Sequence, residues 1–257
     1  MKKLLFFLFI VVAFSLEGHS QTNSFNYDVN GDGFVTVADV TAIYDYLLGN
    51  VPDEPPVNQN YVDLGLPSGT LWATMNVGAN SPEEYGDYFA WGETTPKDIY
   101  DWSTYKWCNG NFKNLTKYCT DRNYGYGGFV DNKTELYPED DAATANWGSD
   151  WRMPSGEQIQ ELISNCTIQW TTRNGINGCL FTSKINGALL FLPAAGFRYG
   201  SAISYMGSKG YYWSRTLGGT NTPHYSNQLY FHSEGVNRLD YFRDFGRSVR
   251  AVRVPQN

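Results

Sequence analysis

Residues 28–39 form the sequence feature that most constrains the fold of their segment, because their spacing is that of a calcium-binding loop. A glycine, Gly33, falls at loop position 6, where such loops turn sharply. Ca²⁺ is a hard cation that takes six to eight oxygen ligands, and three carboxylates here would offset its charge. We therefore predict Ca²⁺ as the cofactor, although an ordinary Asx-Gly turn is the alternative. The predicted ligands, at loop positions 1, 3, 5, 7, 9 and 12, are Asp28, Asn30, Asp32, Phe34 through its carbonyl, Thr36 and Asp39.

The residues behind this loop predict one amphipathic helix. Apolar side chains recur at helical spacing from Val37 to Leu48, and Gly49 follows where a helix would end. A calcium loop that ends in Asp39 and has only an exiting helix resembles one dockerin type I repeat. That family pairs two repeats and docks onto cohesin modules of polysaccharide-degrading assemblies. The resemblance implies a cohesin-like module or a surface assembly as a partner.

The N-terminus has the pattern of an export signal, which predicts a secreted, extracellular or cell-surface protein. Lys2 and Lys3 form its charged region, Leu4 to Leu16 its apolar region, and Gly18 to Ser20 its cleavage site. The alternative, a membrane anchor, needs about 20 apolar residues. With no cysteine near the cleavage point, a lipid-modified N-terminus is not expected, and no transmembrane segment is expected in the mature chain.

We predict four segments: a signal peptide at 1–20, the dockerin-like repeat at 21–50, a Pro-rich linker at 51–60 and a main domain at 61–257. The main domain contains many short strand-like runs separated by turn residues such as Asn186-Gly187. Two helices are predicted, at 139–146 and after Ser155, which can cap its helix together with Gln158. Residues 93–138 have little periodicity and predict loops. This pattern predicts an α+β domain with two short helices and short antiparallel strands, plus a small N-terminal calcium loop-helix.

The main domain resembles the Fibrobacter succinogenes major paralogous domain, a family common in exported and surface proteins of gut and rumen bacteria. The segment Trp151–Glu157 also resembles the helix start of formylglycine-generating-type domains. These resemblances imply a C-type-lectin-like core in which the first and last strands pair, with two flanking helices. The stretches that carry the first resemblance are YVDLGLPSGTLWATMNVGA, EEYGDYFAWGET, DDAATANWGSDWRMPS, NGINGCLFTS, LLFLPAAGFRYG, GYYWSRT and GRSVRAVR.

Four cysteines are disulfide candidates in an exported chain: Cys108, Cys119, Cys166 and Cys179. Sequence cannot choose among their three pairings, although pairing Cys108 with Cys119 and Cys166 with Cys179 closes the shortest loops. Unpaired buried thiols are the alternative. A zinc site is disfavoured, because the cysteines have neither the spacing nor the nearby histidines of one.

The composition favours a binding role. The net charge is −7 and no Lys- or Arg-rich run occurs, so we do not expect nucleic acid or an anionic membrane as a partner. Aromatic residues make up 16% of the chain. An exposed aromatic ring can stack on a sugar or a peptide side chain, although core packing is the alternative for each. The ligand-binding candidates are Trp102, Trp107, Tyr124, Tyr126, Tyr199 and Tyr205.

Catalysis is not expected. Formylglycine-generating chemistry needs a cysteine pair near the C-terminal strands, and no cysteine follows Cys179. The histidines His224 and His232 have no recognisable catalytic partners in the sequence. We therefore predict an exported binding protein in which the dockerin-like repeat is joined to a lectin-like recognition domain for carbohydrate binding or surface adhesion. The alternative is a scaffold component of a surface or polysaccharide-degrading assembly, and a formylglycine-generating-like enzyme is a third hypothesis.

Overall fold

The computed structural model describes residues 61–219 and 221–253, and the predicted signal, calcium loop and linker lie outside these ranges. Two α-helices, α1 (Ala142–Trp147) and α2 (Gly156–Asn165), and two 3-10 helices, η1 (Tyr126–Gly128) and η2 (Pro138–Asp140), are found there. The strands are β1 (Tyr61–Asp63), β2 (Leu71–Ala73), β3 (Cys166–Arg173), β4 (Ile176–Ser183), β5 (Leu189–Pro193), β6 (Phe197–Tyr199), β7 (Ala202–Ser204), β8 (Lys209–Leu217), β9 (Tyr225–His232), β10 (Gly235–Phe242) and β11 (Val252–Arg253).

The strands form four small antiparallel sheets, in the orders β1-β2-β11, β3-β4-β5, β6-β7 and β10-β9-β8. The predicted α+β class is therefore wrong, because the described domain is β-rich. The two helices were found near their predicted positions, but they are short, with 6 and 10 residues. They do not build a separate helical layer. The expected pairing of the first and last strands is also wrong, because both β1 and β11 pair with β2 and meet opposite Trp72.

Turn chemistry explains the hairpins of the β3-β4-β5 sheet. Asn174 and Gly175 have positive φ values of 48° and 81° and join β3 to β4 as a two-residue turn. This is the backbone that matches the right-handed twist of the flanking strands. The predicted turn at Asn186-Gly187 is confirmed between β4 and β5, where Gly187 has a φ of 77°.

Side-chain caps begin both α-helices. The predicted capping box of α2 is confirmed: Ser155 Oγ accepts from the Gln158 N–H at 3.1 Å, and Gln158 Oε1 accepts from the Ser155 N–H at 2.8 Å. At α1, the Asp141 carboxylate accepts from the N–H groups of Ala143 and Thr144. It also accepts from the Met153 N–H at 2.9 Å, which ties α1 to the segment that leads into α2.

The core contains side chains from three of the sheets and from α2. Ile159 and Leu162 of α2 pack in one cluster with Trp72, Phe181 and Phe231. Burying these side chains removes apolar surface from water, and this stabilises the packing of the three sheets against one another and against α2. None of the helices in the described part of the chain is both long enough and apolar enough to cross a bilayer.

Two buried arginines fasten the C-terminal segment to earlier parts of the domain. Arg243 donates to the carbonyls of Lys117 and Tyr118, at 2.8 and 2.9 Å. Arg250 donates to Asn76 Oδ1 and to the Ala73 carbonyl, at 2.9 and 3.0 Å. A buried guanidinium needs such acceptors, so these bonds hold loops that have little regular structure. A third buried arginine, Arg247, contacts aromatic rings instead.

Candidate functional site

A series of contacting aromatic rings, each partly or largely exposed, runs over the surface of the domain. Neighbouring ring centroids in this series are 4.6 to 6.3 Å apart. We call this surface the aromatic strip. Its members are Trp102, Phe112, Tyr124, Phe197, Tyr199, Tyr205, Tyr211, Tyr230, Tyr241, Phe242 and Phe245.

The end of β10 and the segment that follows it place the centre of the strip. Tyr241 and Phe245 are at least partly exposed, while Arg243, Asp244 and Arg247 are buried, so the segment sends aromatic rings outward and charges inward. In most proteins charged side chains are exposed and aromatic rings are buried, and the reversed arrangement here makes this surface apolar.

The β6-β7 hairpin is held against that segment by two backbone hydrogen bonds. The Arg198 N–H donates to the Gly246 carbonyl at 2.7 Å, and the Gly246 N–H donates to the Arg198 carbonyl at 2.9 Å. Gly246 has to be glycine because a Cβ there would lie 2.7 Å from the Tyr100 ring. The close approach brings Tyr199 of the hairpin directly over Phe245.

Tyr199 and Phe245 form a stacked pair, with ring centroids 4.6 Å apart and planes inclined by 21°. One face of Tyr199 is therefore covered, yet the residue keeps 53% of its surface exposed. The opposite face is available to a ligand. Tyr205 is 52% exposed and contacts Phe197, with Lys209 Nζ 4.2 Å from the centre of its ring.

Arg247 forms the floor of the strip. Its guanidinium lies 4.4 Å from the centre of the Trp213 ring and 4.8 Å from that of Tyr241. The rings of Tyr211, Phe245 and Phe197 follow at 5.2, 5.7 and 6.0 Å. A cation over aromatic faces is attracted by their quadrupoles, and the attraction strengthens when water is excluded. Burial lowers the pKa of Arg247 to about 9.

Asp244 is the buried acid next to this floor. Burial raises the pKa of its carboxyl to about 7. Within the described residues, neither of its oxygens has a hydrogen-bond partner. Loss of solvation favours the protonated form of a carboxylic acid.

His224 closes the other end of the strip. Tyr124 stacks on it at 4.6 Å with an inclination of 19°, and Phe112 lies 5.2 Å away. Burial and, to a lesser extent, the charge of Arg243 lower the pKa of His224. The imidazole therefore acts as a neutral aromatic support for the strip at neutral pH. His232, the other histidine of the domain, contacts Tyr230.

The structure brings four of the six predicted ligand-binding residues together: Trp102, Tyr124, Tyr199 and Tyr205 belong to the strip. Trp107 does not, because its indole N–H donates to the Gly92 carbonyl at 2.6 Å and its ring lies beneath two lysine side chains. Tyr126 is 55% exposed but is in none of the ring pairs found among the described residues.

Sequence reasoning missed seven members of the strip. The alternation of aromatic and charged residues at the end of β10 and just after it was a usable signal for Tyr241, Phe242 and Phe245. Phe197, Tyr211 and Tyr230 lie on strands whose outward face is decided only by sheet packing, and Phe112 lies in a turn. The missed residues are Phe112, Phe197, Tyr211, Tyr230, Tyr241, Phe242 and Phe245.

The disulfide expectation is not met, because all four cysteines are free thiols. Cys179 lies opposite Trp170 in the β3-β4 ladder, and Cys166 lies opposite Ser183. Four rungs of about 3.3 Å separate them, which exceeds the reach of a disulfide. The thiols of Cys108 and Cys119 instead donate to the carbonyls of Trp102 and Asp121, at 3.1 and 3.2 Å.

No family model, curated protein or solved structure matches the chain.

The predicted metal site lies outside the described residues. Within 61–219 and 221–253, no group of three or more His, Cys, Asp or Glu side chains could hold a metal ion.

Proposed function

We propose that the aromatic strip binds carbohydrate and that the chain is an exported, non-catalytic binding protein. The observation that carries this proposal is the continuous series of partly exposed rings, with Tyr199 stacked on Phe245 so that only one of its faces is covered. Sugar rings present flat C–H faces that pack on aromatic faces, while the rim of each ring stays wet. Large contiguous apolar surfaces on soluble proteins usually mark a binding site.

The arrangement of the strip favours a chain of sugars over a single sugar. Tyr124 and Tyr205 belong to the same contacting series but come from separate parts of the fold. Each exposed ring can carry one stacking contact, so a longer ligand gains more contacts. Rings that are fixed by their neighbours also lose little side-chain entropy when a ligand binds.

A role without catalysis is supported by the environments of the reactive side chains. Cys166 and Cys179 are buried in the core, and burial raises the pKa of their thiols to about 11 and about 12. The reactive form of cysteine is the thiolate, so such thiols are poor nucleophiles at neutral pH. His224 is packed among aromatic rings.

The resemblance of residues 61–254 to the Fibrobacter succinogenes major paralogous domain supports an exported or cell-surface role, and we propose membership in that family. The loop at Asp28–Asp39 favours a second candidate function, a scaffold component that docks through a Ca²⁺-ordered, dockerin-like repeat. In that case cohesin capture would be abolished by a chelator, whereas glycan binding by the strip would not change.

A glycan array probed with the chain from Gln21 onward tests the proposal. We expect binding to oligosaccharides that strengthens with the number of sugar units. The variant Tyr199→Ala should lose most of the signal, whereas Tyr126→Ala should keep it, since Tyr126 is equally exposed but lies outside the strip. A folded protein that binds none of the plant and host glycans would overturn the carbohydrate assignment.

A further inference from the structure

A second candidate site, which is polar, shares no residue with the aromatic strip. A cleft of about 260 Å³ lies where β11, the start of α2 and β8 meet, and Arg152, Arg215 and Arg253 all line it. Gln158, Ser149 and Asp150 complete its polar lining. Three guanidinium groups around one cleft are notable in a chain whose net charge is −7.

Backbone bonds hold the three arginines in place. Arg152 exchanges both backbone hydrogen bonds with Val252, at 2.8 and 2.9 Å, so it lies beside Arg253. Arg215 donates its N–H to the Pro154 carbonyl at 2.8 Å, which fixes β8 next to the same segment. Positions fixed in this way do not need to be ordered by a ligand.

Arg215 already has acceptors. Its Nε donates to Glu135 Oε2 at 3.2 Å, and its Nη1 donates to the Met153 carbonyl and to Gln158 Oε1, both at 3.0 Å. Glu135 offsets its charge. Arg215 therefore lines the cleft but is not its main hydrogen-bond donor to a ligand.

Arg152 and Arg253 differ from Arg215 in this respect. The Nε of each is buried and has no acceptor among the described residues. The side chain of Arg152 makes one hydrogen bond there, from Nη2 to the Leu136 carbonyl at 3.3 Å. The Arg253 guanidinium is held instead by the rings of Tyr61 and Trp151, at 5.2 and 5.7 Å.

Buried donors without acceptors cost free energy, so their presence on a cleft points to an acceptor that comes from outside. The ion pairs found among the described residues engage Arg215 but neither Arg152 nor Arg253. One acidic residue, Asp150, lines the cleft with the three arginines, so the lining keeps an excess of positive charge. This excess of positive charge favours an anion as the ligand of the cleft.

We propose that this cleft binds the carboxylate of an acidic sugar through Arg152 and Arg253. Guanidinium groups present N–H donors in a planar fork that matches the two oxygens of a carboxylate. The choice of a sugar acid rests on the proposed function, because a carbohydrate-binding protein meets carboxylates as uronic acids. The cleft then adds selectivity for charge to the stacking contacts of the strip.

Titration calorimetry at constant ionic strength tests this with the chain from Gln21 onward and two probes, galacturonate and its neutral methyl ester. We expect the acid to bind at least about tenfold more tightly than the ester, which corresponds to one charge-assisted hydrogen-bonded pair. The double variant Arg152→Gln, Arg253→Gln should abolish this preference. The double variant with lysine at both positions should keep part of it, because lysine keeps the charge and loses the fork.

The matched control is Arg122→Gln, which removes one charge from an exposed residue elsewhere in the domain and should leave the preference unchanged. Equal melting temperatures of all variants establish that they fold. Equal binding of acid and ester, or an equal loss in Arg122→Gln, would overturn the proposal. Preference for a sulfated sugar over galacturonate, or for polyglutamate over both, would overturn the assignment to a sugar carboxylate.

The test separates this site from the strip. If Tyr199→Ala abolishes glycan binding but the galacturonate preference remains, both proposals are supported. If no glycan binds on the array but galacturonate still binds in an Arg253-dependent way, the strip proposal fails while the cleft keeps its carboxylate site.

Discussion

The guanidinium of Arg247 lies 4.4 Å from the centre of the Trp213 ring, and both residues are fully buried beneath an exposed aromatic surface. Four further rings surround the same cation within 6.0 Å. This contact connects the core to the surface, because the buried Arg247 cation attracts the aromatic rings that lie above it. It also makes the C-terminal segment necessary for the strip.

The first prediction concerns that cation. Arg247→Ala should lower the free energy of unfolding by about 3 kcal/mol or more, because it leaves a cavity under the rings and removes the cation–π contacts. Urea denaturation measures the change. Arg122→Ala at the exposed surface should change stability by less than about 0.5 kcal/mol. Equal stability of the two variants would show that the rings hold each other without Arg247.

The second prediction separates binding from stability in the strip. Tyr199→Ala should weaken binding to an oligosaccharide by about tenfold, because one stacking face is lost. Its effect on stability should stay near 1 kcal/mol, since half of the side chain is already exposed. Calorimetry and thermal melting measure the two effects. Tyr126→Ala serves as the control, and an equal loss of affinity there would rule out a specific role for the strip.

The third prediction is a pH dependence from Asp244. Its pKa is raised to about 7 in the folded chain, against about 3.9 when unfolded. Between about pH 4 and pH 7 the folded state keeps a proton that the unfolded state releases, so rising pH favours unfolding. The contribution of Asp244 to stability is therefore present below pH 4 and is lost as the pH rises through 7.

Asp244→Asn removes this titration. The variant should match the parent protein at pH 4 and exceed its stability by about 4 kcal/mol at pH 8, as urea denaturation across that range would measure. Asp98→Asn, at an exposed position, controls for the loss of one negative charge. A stability difference between Asp244→Asn and the parent that does not vary with pH would contradict a protonated Asp244.

The fourth prediction concerns the capping carboxylate Asp141. Asp141→Ala should destabilise the domain by about 2–4 kcal/mol, because it leaves the N–H groups of Ala143, Thr144 and Met153 without their acceptor. Asp141→Asn should cost less, since its amide oxygen still accepts. Thermal or urea unfolding measures both, and a cost below 1 kcal/mol for the alanine variant would contradict the capping role.

The fifth prediction concerns the cysteines. A thiol reagent should titrate four free thiols in the unfolded chain without any reductant, because all four are unpaired. In the folded chain Cys108, the one partly exposed cysteine, should react first, and Cys166 and Cys179 should be protected. Detection of fewer than four thiols after unfolding would restore the disulfide alternative.

Local signals in the sequence predicted local structure well. Ser155 and Gln158 formed the expected capping box, since both bonds join residues three apart. The turn at Asn186-Gly187 formed between two strands for the same reason. The predicted fold class was wrong, because the sequence pattern does not show that the two helices would be too short to build a layer of their own. Nor does it show that β1 and β11 would both pair with β2.

The aromatic candidates show the same division. Trp107 and Tyr199 are both aromatic residues in turn-rich segments, yet the Trp107 indole binds a backbone carbonyl while Tyr199 keeps an open face. Nothing within a few residues of either position decides between these outcomes. The contact with Phe245, 46 positions along the chain, does.

The sequence by itself determined the caps, the turns, the acidic charge and the aromatic richness, because each depends on residue type or on neighbours a few positions apart. The sequence also contains the spacing of a calcium-binding loop at residues 28–39, which lie outside the described domain. The tertiary structure alone decided which rings contact one another and that Arg247 lies beneath them. It also decided that Arg152 and Arg253 share one cleft. These relationships join residues far apart in the chain, and the packing of separate strands fixes them.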